Sequence, residues 1–374
     1  MWKALFRIII LLLILYISRP LWEKYTEPYI DLGFLEPVDQ QVHQLKESEW
    51  GKWLQQTGTS IKKNARDVWD NFRVKKVNPV EEGVGQQTDA SPSTPSTPLT
   101  LGLGMSKDVL EKQVGAPKRS LLNDYGTNWF VYHQDYASFL LVAYDGNQKI
   151  EALYTNSPQY LAELTQQAMQ KNDVRQRFGT PIEAIRKGRT DYLIQSSEGL
   201  DVFSSDQQYI YAFYDEHENL RLNSLLLVSH TLEQRKKSMY ASRSTNLQNS
   251  YEQLMFELIN STRQHYQLGH LTFNSHLAST ARKHSLDMAT HHFFDHTNLK
   301  GQNPFDRMKA DRISYTRAGE NLAYGQFSPI FAHEGLMNSY DHRLNTLTSA
   351  YKVAGIGVAF DEENVPYFTN LFLQ

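Results

Sequence analysis

Cysteine is absent from the 374 residues of this chain. That removes disulfide scaffolds, thiol nucleophiles and cysteine-type zinc sites together. An exported protein without cysteine relies on its core alone, which fits a bacterial envelope better than a eukaryotic secretory pathway. Net charge is also scarce: 38 Lys and Arg oppose 41 Asp and Glu, a formal balance of −3. No bulk basic field points to nucleic acid, and none is expected as a partner. The short basic run Arg235, Lys236, Lys237 reads as solvated surface. What the chain does have is core material, with 40% apolar and 12% aromatic residues over a length that calls for two or three domains.

A long apolar run lies at the N-terminus, from Ile8 to Ile17, behind Lys3 and Arg7. It has the length of a signal-peptide core, but no small-x-small cleavage site follows, only Ser18, Arg19, Pro20, Leu21 and Trp22. From Ala4 to Trp22 the segment comes near the ~20 residues that span a bilayer. Arg7 and Arg19 can snorkel, and Trp2 and Trp22 suit the two interfaces. Residues 1–22 are therefore expected to form an uncleaved membrane anchor with a cytoplasmic N-terminus, secretion after cleavage being the alternative. Residues 23–99 read as a polar linker with room for short helices around Trp50, Trp53 and Leu54. It ends in the proline-rich Asp89–Pro98 stretch.

An internal repeat follows. Leu110 to Pro117 is echoed by Val174 to Pro181, with Gly115 and Gly179 lying 64 residues apart. Each copy predicts a short helix stopped by Gly and then Pro. Strand-like segments come next: Trp129 to Tyr132 and Phe139 to Tyr144 in the first copy, Tyr209 to Tyr214 in the second. Turns at Asp145–Asn147 and Asp215–Asn219 return into Ile150–Tyr154 and Leu222–Val228. Residues 100–232 are thus expected to be a duplicated α+β domain, an interaction or spacer unit whose Tyr and Phe side chains belong to the core.

Ser238 to Asn249 reads as a polar hinge. Beyond it Tyr251, Leu254, Met255, Leu258 and Ile259 mark one apolar helix face. A second helix from about Ser275 puts Leu277, Ala281, His284 and Met288 on one stripe, where His284 is expected to be a satisfied core histidine. Ile356, Val358 and Phe360 alternate with Gly355, Gly357 and Ala359 as a strand does, and Tyr367 to Leu373 forms another. Helices with an antiparallel sheet make residues 245–374 a layered α+β domain.

Chemistry concentrates between Phe293 and Asn345, where His296, Glu320 and His342 sit on segments rich in Gly, Asn and Ser. Two neutral imidazoles and a carboxylate form a metal-ligand set with positions left open for water or substrate. Glu320 could be a ligand itself or the acceptor that fixes one imidazole's tautomer. No His-Glu-x-x-His helix is present. Ser339, His342 and Glu320 allow a serine-hydrolase alternative, although no nucleophile elbow surrounds Ser339. A buried hydrogen-bond network without chemistry is a third reading.

Ordered motifs now carry a resemblance: Asn260–Arg263, His284–Met288, Phe294–His296, Gly301 through Pro304–Met308, Gly319–Ala323, Asn338–Asn345, Gly355–Ala359 and Tyr367–Phe372. Residues 250–374 closely resemble the bacterial branch of the CAP superfamily (cysteine-rich secretory, antigen 5 and pathogenesis-related 1, or SCP-like, proteins). The middle region, opening with Gly104-Met105-Ser106-Lys107, resembles the CAP-associated N-terminal domain of Firmicutes envelope proteins. The resemblance implies an α-β-α sandwich with a central cleft walled by His296, His342 and Glu320, the candidate catalytic residues, with His296 and His342 as candidate metal ligands. Zinc or another divalent metal is the implied cofactor. Asn321, Ser339 and Asp341 are candidate ligand-binding residues. The second acid of eukaryotic relatives has no clear counterpart, Asp341 and Glu334 being nearest, and Asn370 stands where many relatives have Gln.

The whole reads as an α+β protein: a C-terminal α-β-α sandwich preceded by a duplicated α+β domain and an N-terminal membrane anchor helix. The expected function is a membrane-tethered extracytoplasmic module whose cleft takes a divalent metal or an envelope ligand (wall glycan, lipid or peptide). A metal-assisted hydrolase of peptide or cell-wall material is the alternative.

Overall fold

A computed structural model describes residues 101–187, 190–194 and 197–374. The expected anchor and linker lie outside the described residues. Among the described residues no helix is long and apolar enough to cross a membrane.

Helix α1 (Lys107–Val114) ends at Gly115, whose φ of 82° admits the turn that the sequence predicts there. Strands β1 (Arg119–Leu122), β2 (Asn128–Tyr132), β3 (Leu140–Tyr144) and β4 (Ile150–Thr155) follow, then α2 (Pro158–Thr165) and α3 (Lys171–Phe178). After the small hairpin β5 (Ala184–Lys187) and β6 (Thr190–Leu193) come β7 (Leu200–Ser204), β8 (Gln208–Asp215), β9 (Arg221–Ser229) and α4 (His230–Arg235). Seven of these strands form one sheet in the order β1-β2-β3-β4-β9-β8-β7. The central β4–β9 pair is antiparallel, with Tyr154 opposite Leu226. Both central hairpins break register at matching places, Ala143/Tyr144 and Phe213/Tyr214.

The C-terminal region opens with α5 (Thr245–His265), then β10 (Thr272–Phe273), α6 (Ser275–His291), α7 (Pro304–Ala310), β11 (Ala318–Tyr324), α8 (Pro329–Asn338), α9 (Tyr340–Thr346), β12 (Val353–Phe360) and β13 (Pro366–Leu373). Its sheet runs β10-β12-β13-β11, so β11 is an outer strand. Ile356, Val358, Phe368 and Phe372 pack on α5 and α8 through Tyr251, Met255, Ala332 and Leu336. On the other face Leu371 and Leu373 meet Leu277 and Ala281 of α6 and Met308 of α7. Gly355 and Gly357 let α6 come close. A Cβ at Gly355 would lie 2.4 Å from the Ala278 nitrogen, and one at Gly357 2.0 Å from that of Arg282.

Helix α5 has a second employment. Leu254 and Leu258, with Ile330 of α8, pack into Trp129, Phe139, Tyr154, Tyr211 and Phe213 of the seven-stranded sheet. That sheet's opposite face is closed by Leu110, Leu161 and Val174 of α1, α2 and α3. The apolar stripe expected to serve one core is therefore divided between two, and the layers run helix, sheet, helix, sheet, helix.

Two further expectations are corrected. The polar hinge Ser238–Asn249 is cut short because α5 starts at Thr245, where Ser244 caps the helix by accepting from the Leu247 nitrogen and Leu247 is buried. The basic run is solvated only in part: Arg235 and Lys237 are exposed, whereas Lys236 is buried with its ammonium 2.6 Å from Asp124. Burial of a lysine is tolerable there because a carboxylate compensates its charge.

The approach of α6 to β12 sets the first expected outcome. Gly357→Ala forces a methyl into helix backbone that cannot swing away, so it should destabilise the fold by about 1–3 kcal/mol. Denaturant unfolding checks this, and an unchanged midpoint would show that α6 can retreat at no cost.

Candidate functional site

Each candidate residue is held by local chemistry that the sequence spells out. Helix α6 is capped by Asn274, which accepts from the Leu277 nitrogen at 2.9 Å, and it stops at His292 in the left-handed region. The following loop is folded on its own side chains. Asp295 accepts from the Thr297 nitrogen at 2.6 Å, and Asn298 from the Lys300 and Gln302 nitrogens at 3.0 and 2.9 Å. A reciprocal capping box between Asn303 and Asp306, with Pro304 at the first helical position, then starts α7. The loop thus presents His296, and α7 presents Arg307.

Glu320 and Asn321 are neighbours on the outer strand β11, so their side chains leave on opposite faces of the sheet. Glu320 is buried and both of its oxygens are taken. One accepts from His296 Nδ1 at 2.8 Å, and the other pairs with the Arg307 guanidinium. Arg307 also donates to the His296 carbonyl at 2.6 Å and to that of Gln302 at 3.2 Å. Loop, helix and strand are locked to one carboxylate. The ion pair is shielded, with 2% of the Glu320 side chain and 7% of that of Arg307 exposed, whereas His296 stands half exposed at its edge.

Asn321 ties the other wall. Its amide donates to the His342 carbonyl at 2.8 Å and to the Thr346 hydroxyl at 3.2 Å, and accepts from Asn345 at 3.0 Å. Asn345 also donates to the Glu320 carbonyl at 3.2 Å. Gly319 makes room for this arrangement, since a Cβ there would sit 2.4 Å from the Tyr351 hydroxyl and 2.9 Å from Asn345 Oδ1. Ser339 ends α8 and opens α9, and its hydroxyl lies 2.7 Å from His342 Nδ1.

The two histidines differ electrostatically. The hydrogen bond to Glu320 raises the His296 pKa above its ordinary value, against an opposing cost of burial. Burial lowers that of His342, and the charge of His296 lowers it further, so the two rings sense one another. His296 adds stability that is complete below the unfolded imidazole range of about 6.5 and is lost as pH rises through its raised folded value. His342 acts in the opposite sense, costing stability as pH falls below that range.

The candidates divide as follows. His296 and Glu320 meet directly. His342 and Ser339 meet each other, and Asn321 holds their wall. Asp341 is exposed at the start of α9. Glu334, one of the two nearest candidates for a second acid, faces away from the site. It is buried against the seven-stranded sheet and accepts from Tyr154 at 2.8 Å, from Asn223 at 2.7 Å and from Ser224. The serine-hydrolase constellation does not close, because Glu320 is bonded to His296 and not to His342. His284 is a core histidine with Nε2 3.0 Å from the Asp295 carbonyl and, among the described residues, no hydrogen-bond partner for Nδ1.

Arg307 and Asn345 were not singled out by sequence reasoning, although both lie in the quoted motifs. An arginine three residues past the start of a capped helix carried no signal of the carboxylate that it meets. Behind Arg307 lies a polar cavity of about 280 Å³, also lined by Thr280, Lys283, His284, Asp287 and Asn298, which neither candidate histidine borders.

As metal ligands, His296 and His342 each spend Nδ1 on a protein partner and keep Nε2. Among the described residues no group of three or more His, Cys, Asp or Glu side chains could hold an ion. The donors that these two histidines keep are therefore one imidazole nitrogen each, with Glu320 behind that of His296.

Comparison with known proteins gives two family matches, the CAP-associated N-terminal family over residues 103–239 and the cysteine-rich secretory protein family over 256–372. The Bacillus subtilis protein YkwD is 40% identical over 108 residues, which is 29% of this chain and 42% of that protein. The B. subtilis membrane protein YlbC is 23% identical over 303 residues, 75% of this chain and 84% of the relative. An extracellular SCP-domain protein from Bacillus anthracis shares the fold at TM-score 0.62 and 21% identity, covering 78% of this chain and all of that one. A cysteine-rich secretory protein from Staphylococcus aureus does so at 0.55 and 17%, covering 72% and 93%.

Two outcomes follow from the geometry. Arg307→Met leaves Glu320 buried without its counter-charge and should cost about 3–5 kcal/mol by chemical denaturation; a loss below 1 kcal/mol would mean that solvent reaches the carboxylate. In histidine ring NMR titrations, the His296 midpoint should lie above that of His342, and Glu320→Gln should lower the former. Coincident midpoints would contradict the assigned partners.

Proposed function

Because the chain belongs to the bacterial CAP superfamily, Firmicutes type, with an extracellular-type domain at its C-terminal end, we propose that it is an envelope binding module tethered to the membrane. In this reading the site between His296 and His342 takes wall glycan, lipid or peptide. The apolar run at residues 8–17 supports the tether, as does the name of YlbC, a membrane protein. The middle region is read as a duplicated module, supported by the mirrored strand order on either side of the β4–β9 pair.

The observation that favours binding over catalysis is the burial and pairing of Glu320. Its side chain is 2% exposed and already accepts from both Arg307 and His296, so the carboxylate is screened from solvent and its charge is spent on the arginine. Two residues before His296, the ring of Phe294 lies 5.7 Å from that of Tyr324 at a tilt of 35°, with 49% and 44% of the two residues exposed. Tyr324 follows Glu320 by four residues on β11 and so shares its face. Aromatic faces beside fixed polar groups are what a binding site for a partly apolar, hydroxylated ligand needs.

A divalent metal such as zinc would be held by Nε2 of His296 and of His342. Bound there, it would supply a Lewis acid with open positions. Those open positions are what keep a metal-assisted hydrolase as the second reading.

The test uses the full chain, titrated with zinc and then incubated with peptidoglycan, phospholipid vesicles or a peptide library. Zinc binding should vanish in His296→Ala and His342→Ala. Retention on one envelope material without turnover is expected, reduced up to about tenfold by Phe294→Ala, the weight of one aromatic contact. Turnover that Glu320→Ala abolishes would replace the binding module with the hydrolase.

A further inference from the structure

The wall that carries His342 is attached to the seven-stranded sheet at three polar points. One turn before the α8–α9 corner, Glu334 is held by Tyr154, Asn223 and Ser224 of β4 and β9. At the corner, Asn338 donates to the Tyr214 carbonyl at 2.9 Å and accepts from the Glu216 nitrogen at 3.1 Å. Its own carbonyl accepts from His217 Nε2 at 3.0 Å. One residue past His342, Arg343 donates to Asp215 at 2.8 Å, to the Tyr266 hydroxyl and to the Met337 carbonyl at 3.2 Å. Tyr214 to His217 run from the end of β8 into the β8–β9 turn, so the residues flanking Ser339 and His342 on both sides are gripped by one end of the hairpin.

The backbone of the sheet is shaped for this grip. Gly199, just before β7, faces Asn338, and a Cβ there would fall 2.3 Å from the Asn338 amide nitrogen and 2.7 Å from Glu216. Apolar packing does not do the same job. Helix α9 has 7 residues, of which only Arg343 and Thr346 are buried, and Leu344 is 50% exposed. A helix that short, without an apolar face in a core, takes its position from its polar contacts. The Arg343–Asp215 pair is itself shielded, with 11% and 7% of the side chains exposed, the setting in which ionic contacts fix registry more than they add stability.

We infer that the β8–β9 hairpin positions His342, making the middle region a working part of the C-terminal site and not a spacer. His342 is held from within by Asn321 and from without by the hairpin. Asn338, Arg343 and Asp215 are positioning residues, acting through the corner without touching a ligand. A displacement of about 1 Å in such a corner is enough to spoil a two-sided site.

The experiment uses the full chain with labelled histidine, at fixed pH and without metal or ligand, so its result does not depend on what the site binds. Histidine ring NMR signals, assigned by single His→Gln variants, are compared in wild type, Asn338→Ala and Asp215→Asn. Ser261→Ala serves as control, removing a buried bond to Asn156 elsewhere in the same interface. Both corner variants should shift and broaden the His342 ring signals while His296 keeps its own, and amide exchange over residues 338–346 should quicken about tenfold, the effect of ~1.4 kcal/mol. The control should lower the unfolding temperature and leave His342 in place. Unchanged His342 signals in folded corner variants, or the same change in the control, would overturn the inference. Global unfolding of both corner variants would also overturn it, by showing that the contacts hold the fold and not one side chain.

Discussion

Helices α5 and α8 are apolar on two opposite faces because each is pressed between two sheets. Leu254, Leu258 and Ile330 serve the seven-stranded sheet, while Tyr251, Met255, Ala332 and Leu336 serve the four-stranded one. Burial on both sides leaves no solvent face along much of these helices, and the polar residues that remain must find partners inside. Glu334 does so across the interface with Tyr154, Asn223 and Ser224, and Glu257 is met there by charge, 2.9 Å from Arg119 and 3.4 Å from His133, without a well-aligned hydrogen bond. The two family-sized regions are consequently one packed body, and a position on α8 is fixed from both directions at once.

The site inherits this rigidity. On one side of β11 a single carboxylate organises the loop, the helix and the histidine; on the other an asparagine and the α8–α9 corner organise the second histidine. The two sides differ in kind. Around Glu320 the interactions are charged and shielded, which holds His296 toward its protonated form. Around His342 they are neutral amides and a hydroxyl, in a more buried setting that holds the ring neutral. The two rings therefore differ in proton affinity, with His296 keeping its proton to higher pH than His342.

Much of this was written locally. The Gly and Pro stops of α1 and α3, the capping box at Asn303, the alternation from Gly355 to Phe360 and the turns at Asp145 and Asp215 are short-range signals, and the elements formed where those signals lie. The short strands β1, β5, β6 and β7 and helix α2 carried too few residues for their period to stand out. Helix α5 began earlier than its polar first turn implied, because one buried leucine and one serine cap outweighed that turn's composition. Lys236 looked like surface for the same reason: a charge run says nothing of the carboxylate waiting across the chain.

What the sequence determined by itself is the longer elements with clear caps or alternation and the residue types at the site, since helix caps, glycine turns and period-two alternation act within a few residues. Through ordered motifs, the family resemblance implied that His296, Glu320 and His342 wall one cleft. Only the tertiary structure decided how they pair. Arg307 takes one oxygen of Glu320 and His296 the other; Glu334 turns to the seven-stranded sheet; the hairpin at Asp215 grips the corner that bears His342. Each of these contacts joins residues whose partners lie in another element, in some cases more than 100 positions away, and their energy comes from shared burial, which no local pattern records.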